Sequence, residues 1–162
     1  MIQIFTTGGT IEGIDFDQKH TNTKIPLRQF LEAANVSFSF AIEEIFAKDS
    51  RSITPEDRKY LVERILASEA SKILVSHGTF TMEETARHLA AQKIEKTIVL
   101  TGSFIPGHSQ NTDAPFNLGF ALCALQFLKP DVYVAMNGRI FHWSNVTKNL
   151  QSNRFEPKDD QQ

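Results

Sequence analysis

Only one cysteine is found in the 162 residues, Cys123, so no intramolecular disulfide is available. That fits a reducing compartment. An excess of one charge is also missing: 17 lysines and arginines face 19 aspartates and glutamates, for a net charge of −2. The basic residues are scattered, which argues against nucleic acid or an anionic membrane as partner. No apolar run approaches the roughly 20 residues that a membrane-spanning helix needs. The opening, MIQIFTTGGT, lacks the basic and apolar regions of a secretion signal. Cytoplasmic is therefore the expected location. Metal ligands are sparse: His20, His77, His88, His108 and His142 show no ligand spacing, and one cysteine cannot complete a zinc site. Neither a metal nor a cofactor is expected. The phosphate-loop signature is missing too, because TTGGT lacks the Gly-Lys-Ser/Thr ending. It is not the dinucleotide fingerprint either, since no helix follows at once and no acidic residue closes the second strand.

What is present is a regular alternation of strand and helix patterns. IQIFTT reads as a first strand stopped by Gly8 and Gly9, followed by a polar loop over 12–24. PLRQFLEAA is helical, with Pro26 in its first turn. VSFSFAI (36–42) alternates with period two, as a half-buried strand does. TPEDRKYLVERILASEA starts on an N-cap, Thr54, and carries a stripe of Leu61, Ile65 and Leu66. KILVS is the next strand. A helix then begins with Thr81 and Glu84 at capping-box spacing. KTIVLT is followed by a long loop and the apolar helix PFNLGFALCALQFL, where Asp113 is a cap and Cys123 a core thiol. VYVAM and RIFHW flank Asn137-Gly138, a tight hairpin. The pattern predicts a single α/β domain over 1–150 with a mostly parallel sheet and a C-terminal hairpin. Residues 151–162 read as a weakly ordered tail.

In such sheets ligands bind beyond the carboxyl ends of the strands. Those ends carry Thr6 to Thr10, Asp49 to Ser52, Ser76 to Phe80, and Thr101 to Ser103. One turn of glycines and hydroxyls is ordinary loop chemistry. Four on one predicted rim suit a small polar ligand with a carboxylate or carbonyl. His77, followed by glycine and without an orienting partner, reads as a structural hydrogen-bonding residue rather than a general base.

Together these turns resemble the N-terminal domain of the bacterial-type L-asparaginases, the asparaginase/glutaminase family. The matching segments are TTGGTI (6–11), DSRSITPED (49–57), HGTFTMEETA (77–86), TGSFIPGHSQNTDAPFNLGFAL (101–122) and VAMNGRIF (134–141), in the same order. The resemblance implies a three-layer, flavodoxin- or Rossmann-like sheet. It implies an amidohydrolase in which a threonine attacks a small amide, L-asparagine or a relative, and water then releases the acid. It places the nucleophile at Thr7 and a second catalytic threonine at Thr79. Gly8, Ser50, Gly78 and Ser103 would bind the substrate. The family's aspartate beside the second threonine, which binds the substrate α-ammonium, is Phe80 here. Its lysine counts to Leu128, with Lys129 next. Arg51 stands where secreted members carry glutamine. Neither Tyr60 nor Tyr133 matches the family's lid tyrosine. The family's C-terminal domain has no counterpart in these residues, so a homodimer or larger homo-oligomer is expected to cover the site. An active amidohydrolase and a catalytically weakened relative that binds a small carboxylate or amide both fit. A nucleotide-binding domain fits least.

Overall fold

Strands and helices alternate because short apolar runs of β-branched residues alternate with longer amphipathic segments. The computed structural model describes residues 1–14 and 27–158. Most of the polar loop at 12–24, together with His20 and Pro26, lies outside the described residues. The elements are β1 (Ile2–Gly8), α1 (Leu27–Ala33), β2 (Phe40–Lys48), α2 (Pro55–Ala67), β3 (Lys72–Ser76) and α3 (Met82–Ala91). They continue with β4 (Thr97–Thr101), α4 (Ala114–Phe127), β5 (Asp131–Met136), β6 (Arg139–His142), β7 (Thr147–Asn149) and β8 (Arg154–Glu156).

The main sheet has the order β2-β1-β3-β4-β5-β6. Its first five strands are parallel, and β6 returns antiparallel. The hairpin turn is as expected, with Asn137 and Gly138 both at positive φ, 54° and 73°. Two cores make the three layers. Leu61, Val62 and Ile65 of α2 join Met82, Ala86 and Leu89 of α3 over Ile73, Val75, Ile98 and Leu100. On the other face, Leu27 and Leu31 of α1 join Leu118, Ala121, Leu122 and Leu125 of α4 over Ile4, Leu74 and Val99. Neighbouring strand residues thus enter opposite cores, as the pleat requires.

Several expectations need correction. The second strand starts at Phe40 and runs on to Lys48. It is an edge strand, so it tolerates Glu43, which pairs with Arg64 of α2 at 2.7 Å. Leu66 is 58% exposed; the buried stripe of α2 is Arg58, Leu61, Val62 and Ile65. The capping box falls on Thr54 and Asp57, not on Thr81 and Glu84. Thr81 Oγ1 instead donates to the Ser50 carbonyl at 2.8 Å, and Glu84 pairs with Arg58 at 3.1 Å. The apolar helix α4 buries only one face, leaving Phe116, Cys123 and Phe127 exposed. Cys123 is therefore not a core thiol. Asp113 caps no helix N–H; it accepts from the N–H groups of Phe104 and Ile105 and from Asn117 Nδ2. The carboxylate ties down the long loop after β4. The expected tail also fails for its first half: Arg154–Glu156 pair with β7, and Phe155 is 2% exposed.

Candidate active site

Parallel strands carry their C-terminal ends to one rim, and glycines let the turns there touch. A Cβ on Gly9, at φ 81°, would lie 2.6 Å from the Gly78 nitrogen. One on Gly78 would lie 2.8 Å from Ser50 Oγ. A Cβ on Gly102 would run into the His77 carbonyl. These glycines serve the approach of turn to turn, so four loops distant in sequence form one continuous surface. Gly8, at φ 95°, plays the same part against the backbone of Lys48.

The hydroxyls divide by access. Thr7 is fully buried and donates its hydroxyl to the Ser76 carbonyl at 2.8 Å. The Thr7 hydroxyl is thus engaged with the backbone at the end of β3 and is not presented at the surface of the rim. Thr10 sits just past Gly9, at the start of a one-turn 3-10 helix (Thr10–Glu12), and is only half-buried. Ser103, 1% exposed, donates to the Ile105 carbonyl and so fixes its own loop. Ser50 is equally buried, and among the described residues its Oγ accepts only a long 3.4 Å contact from the Thr81 N–H.

Thr79 has a partner that the sequence did not reveal. Lys148, on β7, donates from Nζ to Thr79 Oγ1 at 2.8 Å. Burial pushes the Lys148 ammonium down from its ordinary pKa, the Arg51 charge pushes the same way, and Asp49 only partly offsets them. A lysine so shifted is easier to use as a neutral base. Lys129 cannot take this place. It is exposed and follows α4, whose C-terminal end leads to the start of β5, at the edge of the sheet opposite the rim.

Phe80 is 49% exposed beside this pair. Lys148 Nζ lies 3.8 Å from its ring centroid and Arg51 Cζ 4.3 Å, while Phe104 stands 5.2 Å from the same Nζ. Arg51 is held by Asp49 through Nε at 2.8 Å and Nη2 at 3.1 Å. Burial pushes the Asp49 carboxyl up, but the hydrogen bonds and charge of Arg51 outweigh it and hold the group below its usual range.

His77 is structural, as expected. It is 1% exposed, with Nδ1 2.7 Å from the Gly78 carbonyl and Nε2 2.8 Å from Thr85 Oγ1. A carbonyl can only accept, so Nδ1 carries the hydrogen and Nε2 accepts from Thr85. Arg58 Nε donates to the same hydroxyl at 2.9 Å. Burial, with the nearby Arg58 charge, lowers the His77 pKa to about 4 despite its bond to Gly78. The ring is a neutral strut that shapes the Gly78-Thr79 turn. Among the described residues, no three His, Cys, Asp or Glu side chains are grouped to hold a metal ion.

The sequence pattern of the asparaginase N-terminal domain matches residues 1–157. The chain belongs to the asparaginase family. It is 29% identical to the glutaminase-asparaginase of Pseudomonas aeruginosa, over 96% of this chain and 48% of that one. It is 34% identical to L-asparaginase 2 of Bacillus subtilis, over 91% and 43%. The solved structure of the probable cytoplasmic L-asparaginase of Campylobacter jejuni superposes with a TM-score of 0.84 at 30% identity, over 98% of this chain and 53% of that one. The chain thus spans about half the length of the relatives it matches. The asparaginase α/β fold expected from the sequence is the one observed.

Proposed function

We propose that this asparaginase-family chain hydrolyses a small amide, with Thr10 as nucleophile and Thr79 with Lys148 as the proton-transfer pair. The observation that carries the reading is the 2.8 Å bond from Lys148 Nζ to Thr79 Oγ1. Thr10 and Thr79 each follow one of the two glycines, Gly9 and Gly78, whose backbones touch. In the reaction, neutral Lys148 takes the Thr79 proton as Thr79 takes that of Thr10. The Thr10 oxygen bonds the amide carbon. The C–N bond breaks, the same proton returns to nitrogen, and ammonia leaves. Water then cleaves the Thr10 ester by the same relay and releases the acid. The low exposure of Thr7 and its bond to Ser76 argue for Thr10 over Thr7. Ser50 and Gly78, with Gly8 behind them, form the floor of the site; Ser50 is nearly as buried as Thr7, but among the described residues its hydroxyl donates to no partner, so it would donate to a substrate carboxylate. Ser103 supports the rim rather than the ligand.

A cytoplasmic homodimer or larger homo-oligomer belongs to the same reading. The word cytoplasmic in the name of the Campylobacter relative supports the location. The decisive test is ammonia release by the purified protein from asparagine, glutamine and simple amides, alongside Thr10→Ala. Release that disappears in the variant is expected. Release that persists unchanged removes Thr10, and no release from any amide removes the enzyme reading.

A further inference from the structure

We infer that Phe80, set against Arg51 and Lys148, makes this site select an amide that carries a carboxylate but no ammonium group beside it. The substrate class is the monoamide of a simple dicarboxylic acid, of which succinamate is the plainest member. The inference rests on the proposed amide hydrolysis and names its substrate class.

Three observations carry it. First, two basic side chains stand against a single ring, Lys148 at 3.8 Å and the permanently charged Arg51 at 4.3 Å. The electron-rich ring face is what would attract an ammonium here, and these two side chains already engage it. Second, the nearby carboxylates are committed. Asp49 accepts from the Arg51 backbone N–H at 2.9 Å and from its Nε and Nη2. Glu12, beyond Thr10, is 2% exposed, so its carboxylate is not presented on this surface. Third, Phe80 lies beside Thr79, so this surface faces whatever the Thr79-Lys148 pair acts on. A substrate ammonium placed there meets the Arg51 guanidinium, which stays charged when Lys148 is the free base, on a partly desolvated surface where repulsion is stronger than in water. A substrate carboxylate meets opposite charge. A hydrogen or methylene at the same place packs on the half-exposed ring.

The test uses the purified 162-residue chain with succinamate and asparagine as paired substrates. The expected preference for succinamate is about tenfold to a hundredfold in kcat/KM, roughly the factor by which an apolar surface rejects an analogue that adds one polar group. Phe80→Asp is expected to move the ratio toward asparagine by a similar factor, while Phe80→Leu, which keeps an apolar surface, keeps succinamate ahead. Because Phe80 is half-exposed, circular dichroism melting should show all three proteins folded. Turnover of asparagine equal to or better than that of succinamate overturns the inference while leaving amide hydrolysis intact. Calorimetry with succinate and aspartate reads the same selectivity without turnover. Aspartate binding as tightly as succinate, or neither binding at millimolar concentration, overturns it whatever the outcome of the ammonia assay.

Discussion

Lys148 Nζ and Thr79 Oγ1 lie 2.8 Å apart although 69 residues separate them in the chain. The bond joins the small β7-β8 sheet to the turn after β3. Removing the amine in Lys148→Met should lower amide turnover about 10²–10⁴-fold, the usual contribution of one acid–base group. Thr79→Ala should fall by a similar factor, and the double variant by little more than either, because the two groups act as a unit. Additive losses would show that they do not work together. With Lys148 shifted down, kcat/KM should rise with pH along a limb centred below the ordinary lysine value of 10.5. That limb should vanish in Lys148→Met.

Thr7 and Thr10 should separate cleanly. Thr7→Ala removes a buried hydrogen bond and leaves the Ser76 carbonyl without that donor, so it should cost about 1–3 kcal/mol of stability. Thr10→Ala should leave the denaturation midpoint almost unchanged and abolish turnover. Urea unfolding and an ammonia assay on the same two proteins decide it, and the reverse pattern would restore Thr7 as nucleophile.

Acid should weaken the fold through His77. The ordinary pKa of 6.5 falls to about 4 in the folded state. Between those values the unfolded chain binds a proton that the folded chain does not, so stability drops as pH falls. It is fully present above about 6.5, and the total lost by pH 4 is about 3 kcal/mol. Denaturant titrations at pH 7.5, 6, 5 and 4.5 should show this slope, and His77→Gln should flatten it.

Phe155 should prove part of the core. It is 2% exposed and packs on Phe104 with ring centroids 6.0 Å apart. Phe155→Ala should cost about 3–5 kcal/mol. Its ring also holds β8 beside β7, which carries Lys148, so activity should fall more than in an equally destabilised variant such as Leu61→Ala. Equal activity losses at equal stability would detach the small sheet from the site.

Much of the fold was legible because its signals are local. Ile73 to Val75 and Ile98 to Leu100 are continuous apolar runs, as strands covered on both faces must be. Thr54-Pro55 marked the start of α2 within a single turn. The errors share one cause. Spacing showed that Thr81 and Glu84 were able to form a capping box, but Ser50 and Arg58, from other segments, bound them first. Cys123 sat in an apolar run, and only the placement of α4 on the sheet showed which side of that run faces water.

The sequence by itself determined the alternation of strands and helices, the glycine and hydroxyl turns at the strand ends, and the family resemblance that they carry. These follow from backbone preference and side-chain period, which act over a few residues. The tertiary structure alone decided which hydroxyl is accessible, that Lys148 rather than Lys129 reaches Thr79, and that Arg51 and Lys148 converge on Phe80. Burial and through-space charge depend on residues that packing brings together from far along the chain. Such neighbours leave no periodic trace in the order of the amino acids.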